Sequence, residues 1–256
     1  MNRLAQAAVL FLLGAALLHA GATDLYLRYV KAGLQPLLLA SGAVLIAAAV
    51  ATVWYERREA KEARQPDATA ARQREAEAVR QGEHAHVHRE PRVSWLLILP
   101  LLALILVAPP ALGSYSATRT GTALQQPLAY PPLPTTDPLR LSVVDYAGRA
   151  VYDHGRTLTD RRIQLIGFVA LDHDGTPYLV RMALNCCAAD AQPVKIGLTG
   201  HIPPVLQPDT WLQITGTFTS RQVKDPVNNG PIPFIEVTAA KPVPVPHDPY
   251  DESWNT

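Results

Sequence analysis

The chain has 256 residues, enough for one large domain or two small ones. Its formal net charge is +1 at pH 7, so no global field draws it to nucleic acid. The apolar residues are clustered rather than evenly spread. The clusters are long enough to point to a membrane.

Three stretches reach the roughly 20 apolar residues that a bilayer span needs. They are "LAQAAVLFLLGAALLHAGA" (4–22), "PLLLASGAVLIAAAVATVW" (36–54) and "VSWLLILPLLALILVAPPALG" (93–113). A signal peptide is the alternative for the first. However, "LHA" ahead of Gly21 is a poor cleavage site and the second span follows closely, so a membrane hairpin over 1–55 is preferred. Small residues at Gly14, Ala15, Ser41, Gly42 and Ala43 would let helices pack closely, within the hairpin or on a partner. His19 and Asp24 stand near the outer end of the first span, where the interface tolerates polar groups.

Orientation is read from lysine and arginine. The connector over 56–92 holds Arg57, Arg58, Lys61, Arg64, Arg72, Arg74, Arg80, Arg89 and Arg92, whereas Arg28 and Lys31 are the basic residues between the first two spans. The connector and the N-terminus are therefore expected in the cytoplasm. The third span then exits, and the chain beyond it is extracytoplasmic, in a multi-pass protein of the plasma membrane. The connector lacks large apolar residues and cannot form a core. It carries "EHAHVH", whose His84, His86 and His88 form a tract of the kind that binds zinc, nickel or copper weakly. The alternative is a solvated polar loop.

After the third span, residues 114–138 contain "QQPLAYPPLPTTDP" and are expected to form a proline-rich, extended spacer. "DPLRLSVVDYAGRAVYDH" is expected as a helix or two short segments. Over 139–240 follow short β-branched runs at 161–171, 177–185, 193–200, 209–220 and 231–240, separated by turn signals such as "DHDGTP" and "DPVNNGP". They predict a small all-β, OB-like barrel of about five strands. The glycines in "IGFV" and "ITGTF" fit tight bends at its corners. The tail over 241–256 is proline-rich and expected to be extended. The fold class is thus an α-helical membrane region of three transmembrane helices plus this barrel.

The chain's two cysteines, Cys186 and Cys187, are adjacent in "RMALNCCAADAQPV". Neighbouring α-carbons stand about 3.8 Å apart, shorter than the usual disulfide range of about 4.4 to 6.8 Å, so a bridge between them would be strained and would close almost no loop. In a regular strand the two side chains would face opposite ways. They share one ligand only if the chain turns, and a single helical turn would bring Asp190 to a thiolate. Cys186, Cys187 and Asp190 are therefore the candidate metal ligands, for zinc or another soft divalent ion. A tetrahedral structural zinc site would need a further ligand, with His173 or His201 as candidates. The competing reading is two small buried residues at a strand end. No nucleophile elbow, phosphate loop or HExxH pattern occurs, so no enzymatic activity and no catalytic residue is expected. The basic residues of the barrel are scattered with few aromatics, and no nucleic acid is expected as a partner.

The order "GFV", "RMALNCCAADAQPV", "WLQITGTF" and a tail from Pro246 to Tyr250 resembles the YcgQ-like family of bacterial permease subunits. Its members pair N-terminal membrane helices with a C-terminal domain of unknown function. The resemblance is closest over 140–250, and "CCAADA" is its most specific element. It implies an accessory subunit beside a separate multi-pass permease, with a link to metal supply, zinc included. It marks Cys186, Cys187, Ala188, Ala189 and Asp190 as signature positions without giving them a role. The long connector with its histidines departs from the family pattern. The leading expectation is a membrane-anchored accessory subunit handling a zinc-like metal. An envelope thiol-redox protein and an assembly module with no ligand are the alternatives.

Overall fold

The computed structural model describes residues 3–62, 99, 102, 103, 106, 107 and 109–252. It divides into two compact units, residues 1–23 with 36–109, and residues 24–35 with 110–256.

In the first unit, α1 (Arg3–Ala22) and α2 (Gln35–Glu62) are apolar helices. Both are long and apolar enough to cross a membrane. They pack on each other through glycine. A Cβ placed on Gly14 would lie 2.8 Å from the Gly42 carbonyl oxygen, and one on Gly42 would lie 2.9 Å from the Leu18 side chain. Close backbone approach of this kind is how apolar helices gain van der Waals contact where water supplies no hydrophobic drive. Of the small residues noted in the sequence, Gly14 and Gly42 thus serve the hairpin itself, while Ser41 and Ala43 are exposed. Arg3 and Glu59 pair at 3.0 Å across the open end of the hairpin.

Three transmembrane helices were expected, and the described residues contain two. Most of the stretch over 93–113 lies outside the described residues, as do His84, His86 and His88. The outer end of that stretch is corrected: residues from Pro110 onward belong to the second unit. Pro109 and Pro110 lack the N–H that would continue a helix. Ala111 and Leu112 pack into the apolar cluster of the second unit.

The second unit is built on a barrel. Its strands are β2 (Ile163–Leu171), β3 (Pro177–Leu184), β4 (Gln192–Gly200), β5 (Trp211–Lys224) and β6 (Pro231–Pro242). β2 pairs with β3, β3 with β4, β4 with β6, β6 with β5, and β5 returns to β2. The ring is closed, and the β4–β6 contact is parallel while the others are antiparallel. This is a five-stranded Greek-key barrel, the arrangement of small OB-type barrels. Gly216 sits at a register shift between β5 and β6, where a Cβ would run into the Glu236 carbonyl. On Gly167 a Cβ would lie 2.7 Å from the Val180 carbonyl oxygen, so both glycines allow close strand approach.

Two short strands extend the sheet, β1 (Leu139–Arg140) beside β2 and β7 (Tyr250–Glu252) beside β3, both parallel. A helix, α4 (Val143–Tyr152), closes the core from one side. Its N-cap Ser142 accepts the Asp145 N–H at 2.9 Å, and Asp251 Oδ2 accepts those of Val143 and Val144 at 3.0 and 3.3 Å. Together they satisfy amides that the first helical turn leaves open.

The core has two parts, divided by the period-2 alternation of the strands. Leu165, Val169, Leu179, Ile196, Leu212 and Ile214 meet α4 in one cluster. Phe168, Val180, Met182, Leu184 and Trp211 form the other, with Ala117 and Tyr250. β3 is buried on both faces, which is why it is apolar at successive positions instead of alternating, save for the buried Arg181, which pairs with Asp251.

The spacer expectation for 114–138 differs from what is found. Ser114–Arg119 is a helix, α3, with Ser114 and Ala117 buried. The segment beyond it lies along the barrel. Tyr130 donates to the Gly148 carbonyl at 3.0 Å, the buried Arg149 reaches the Pro131 carbonyl at 2.8 Å, and Arg161 reaches that of Pro134 at 2.7 Å. Proline-rich backbone offers many carbonyls and few N–H groups, so arginine donors suit it.

Candidate metal centre

β3 ends at Leu184 and β4 starts at Gln192, and the cysteines lie in the loop between them. The loop contains a single 3₁₀ turn, Ala188–Asp190. That turn brings the Asp190 carboxylate back over the cysteine backbone. Oδ1 accepts the Asn185 N–H at 2.9 Å, and Oδ2 accepts those of Cys186 at 3.0 Å and Cys187 at 3.4 Å. The Cys186 thiol also donates to Oδ2, at 3.0 Å.

Both cysteines are free thiols, Cys186 exposed and Cys187 half-buried. The two sulfurs and an Asp190 oxygen lie within 4.8 Å of one another. Among the described residues this is the single group of three or more such side chains close enough to hold one ion, and neither His173 nor His201 belongs to it. The turn foreseen in the sequence is present: it follows Cys187, which is itself extended at φ −154° and ψ 168°, and it carries Asp190 back to the cysteines.

The electrostatics of the loop favour the protonated thiol. The hydrogen bond to Asp190 is the largest cause that pushes the Cys186 thiol up to about 12, followed by its contact with Cys187. Partial burial works to raise the Asp190 carboxyl, yet the Cys186 thiol and the three backbone N–H groups outweigh it and hold the carboxyl below its ordinary value. Oδ2 thus carries more donors than its two lone pairs accommodate well, while Oδ1 accepts one N–H among the described residues. A cation taking the place of the Cys186 proton would keep Asp190 as a neighbour and would meet Cys187 across the same gap.

The outer wall of the site comes from far away in sequence. Residues 24–35, which connect α1 to α2, belong to the same compact unit as the barrel. Val30 forms an isolated antiparallel bridge with Cys187. The Lys31 N–H donates to the Cys186 carbonyl at 3.0 Å, and the Ala188 N–H to the Tyr29 carbonyl at 2.7 Å. Nearby, the Tyr250 hydroxyl donates to the Arg28 carbonyl at 3.0 Å, and His247 and Asp24 approach to 2.7 Å. Asp24, noted in the sequence as a polar residue beside a span, is therefore a partner of the C-terminal tail. His19 remains in the last turn of α1. Sequence reading missed Tyr29, Val30 and Lys31. Their signal is the three-residue "YVK", too short to register as a strand.

A second polar cluster lies away from the cysteines. Thr118, Asp172, His173, Tyr178 and Lys195 line a cavity of about 180 Å³ between the β2–β3 and β5–β6 turns. Burial, with Asp172 beside it, pushes the Tyr178 hydroxyl up to about 12.

No curated protein and no solved structure matches this chain. Residues 137–251, the barrel with the cysteine loop, match the DUF1980 C-terminal domain, which is consistent with a DUF1980/YcgQ-like family.

Proposed function

We propose that this chain is a membrane-anchored accessory subunit of a separate multi-pass permease, and that its barrel takes up a zinc-like divalent ion at Cys186, Cys187 and Asp190. The observation that carries the metal reading is the convergence of two free thiols and a carboxylate within 4.8 Å on a partly exposed loop. Thiolates with a carboxylate suit zinc, and three protein ligands leave a fourth position open. An open position fits an ion that is received and passed on. The permease partner rests on the family resemblance of the C-terminal domain. Zinc binding must release the Cys186 proton, and the Asp190 hydrogen bond makes that proton hard to remove. Loading is therefore steeply pH-dependent and favoured as pH rises.

The reading places the barrel outside the cytoplasm. If α1 and α2 cross the bilayer, the chain leaves α2 on the side opposite residues 24–35. Those residues bind the barrel loop. The apolar stretch over 93–113 is the sequence segment that would carry the chain back across. The lysine and arginine asymmetry supports the same orientation.

The test is calorimetric titration of the detergent-solubilised full chain with zinc under reducing conditions, beside Cys186→Ser/Cys187→Ser. Binding lost in the variant supports the site. Equal binding, or none in either, sinks it, and reversible oxidation of the pair without metal binding would favour the redox alternative. Purification from native membranes that recovers no multi-pass partner argues against the permease role.

A further inference from the structure

We infer that residues 29–31, in the connection between α1 and α2, are positioning residues of the thiol site, so that ion binding at Cys186 and Cys187 and docking of this segment stabilise each other. The inference rests on the metal reading above and adds to it a second, distant segment of the chain.

The geometry is specific to the cysteines. The Cys186–Cys187 peptide is held from inside the loop through its one N–H, that of Cys187, which donates to Asp190 Oδ2 at 3.4 Å, and the preceding peptide is held there by the Cys186 N–H at 3.0 Å. It is held from outside through its carbonyl, by the Lys31 N–H at 3.0 Å. The next amide, that of Ala188, is held by the Tyr29 carbonyl at 2.7 Å. Val30 completes the bridge opposite Cys187. Adjacent side chains converge only while the intervening peptide keeps one orientation, because rotating it sends the two Cβ atoms apart. Asp190 alone fixes the N–H side of that peptide. The carbonyl side is fixed by a segment more than 150 residues earlier in the chain.

Energetic coupling runs both ways. A docked segment that pre-sets the two sulfurs raises ion affinity, and a bound ion that fixes the sulfurs strengthens docking by the same factor.

A clean test exists because Lys31 has φ −56°, close to the value proline imposes. Val30, which precedes it, is in the extended bridge that a following proline favours. Lys31→Pro therefore deletes the N–H that holds Cys186 without forcing a new backbone conformation. Lys31→Ala removes the same side chain and keeps the N–H. Cobalt(II) titration of the full chain in detergent reports affinity together with the thiolate-to-metal absorption band. Wild type and Lys31→Ala should bind alike, whereas Lys31→Pro should bind about threefold to tenfold more weakly, the worth of one hydrogen bond, with an altered band. Amide exchange at Lys31 and Ala188 in the wild-type chain should slow on adding zinc.

Lys31→Pro binding like wild type, or Lys31→Ala binding as weakly as Lys31→Pro, overturns the inference while leaving the metal reading intact. Unchanged exchange at both amides in a zinc-binding protein does the same. A wild-type chain that binds neither cobalt nor zinc overturns both.

Discussion

The Lys195 ammonium lies 2.8 Å from Oδ2 of Asp225, with side-chain exposures of 6% and 0%. Asp225 also accepts the N–H groups of Thr122 and Val227, at 2.8 and 2.9 Å. One carboxylate thus joins β4, the β5–β6 turn and the segment after α3. Asp225→Asn leaves the lysine without its countercharge and should cost about 3–5 kcal/mol, the range seen when one partner of a buried pair is removed. Chemical denaturation of the protein should show the loss. A change below about 1 kcal/mol would mean that Lys195 relaxes to solvent through the neighbouring cavity.

The Cys186 thiol should alkylate slowly at neutral pH. Its titration is pushed up to about 12 by Asp190, so its thiolate fraction should rise about tenfold per pH unit well past 9. An ordinary cysteine, with a value of about 8.5, levels off there. Asp190→Asn removes the negative charge, lowers the thiol toward its ordinary value and should speed alkylation at pH 8. Mass spectrometry of the Cys186 peptide against pH checks both statements. Equal rates in the two proteins would remove Asp190 as the cause.

Gly14→Leu should separate α1 from α2, because its first side-chain carbon would lie 2.8 Å from the Gly42 carbonyl oxygen and 2.8 Å from the Ile46 side chain. Spin labels at Ala8 and Val53 should report a longer and broader distance distribution. Gly33→Ala is the matched control, since nothing lies within 4 Å of an added Cβ there.

A fragment starting at residue 125, where the proline-rich stretch begins, should be less stable than one starting at 110. It lacks the buried Ser114, Ala117 and Thr122. It also loses the Ser114 hydroxyl and N–H contacts to Asp209, at 2.8 and 2.6 Å. Thermal unfolding of the two fragments side by side would show the lower midpoint for the shorter one, by several degrees if these contacts are worth about 1–2 kcal/mol. Equal midpoints would mean that α3 is peripheral.

Much of the architecture was legible in sequence because it is written in local periodicity. Two long apolar runs became α1 and α2, and "DHDGTP" became the β2–β3 turn, with Gly175 at φ +84°. Alternating β-branched runs became β5 and β6. In the cysteine loop, the offset of three between Cys187 and Asp190 sufficed to expect a turn that joins them, and the 3₁₀ turn does so. The docking of the proline-rich run, expected as an extended spacer, was not legible, because composition reports backbone stiffness and is silent about docking. Its carbonyls found donors in Arg149 and Arg161, and nothing local announces those contacts.

What the linear chain specified, then, is the set of elements and the grouping of two thiols with a carboxylate, since both follow from residues a few positions apart. Which segments enclose those groups was settled by folding. The bridge from Val30 to Cys187 and the Lys31 and Tyr29 hydrogen bonds join positions more than 150 residues apart. They use backbone groups that every residue type possesses except for proline's missing N–H. Backbone pairing at that separation leaves no mark on composition or spacing, and only the barrel, by carrying the β3–β4 loop to residues 24–35, creates it.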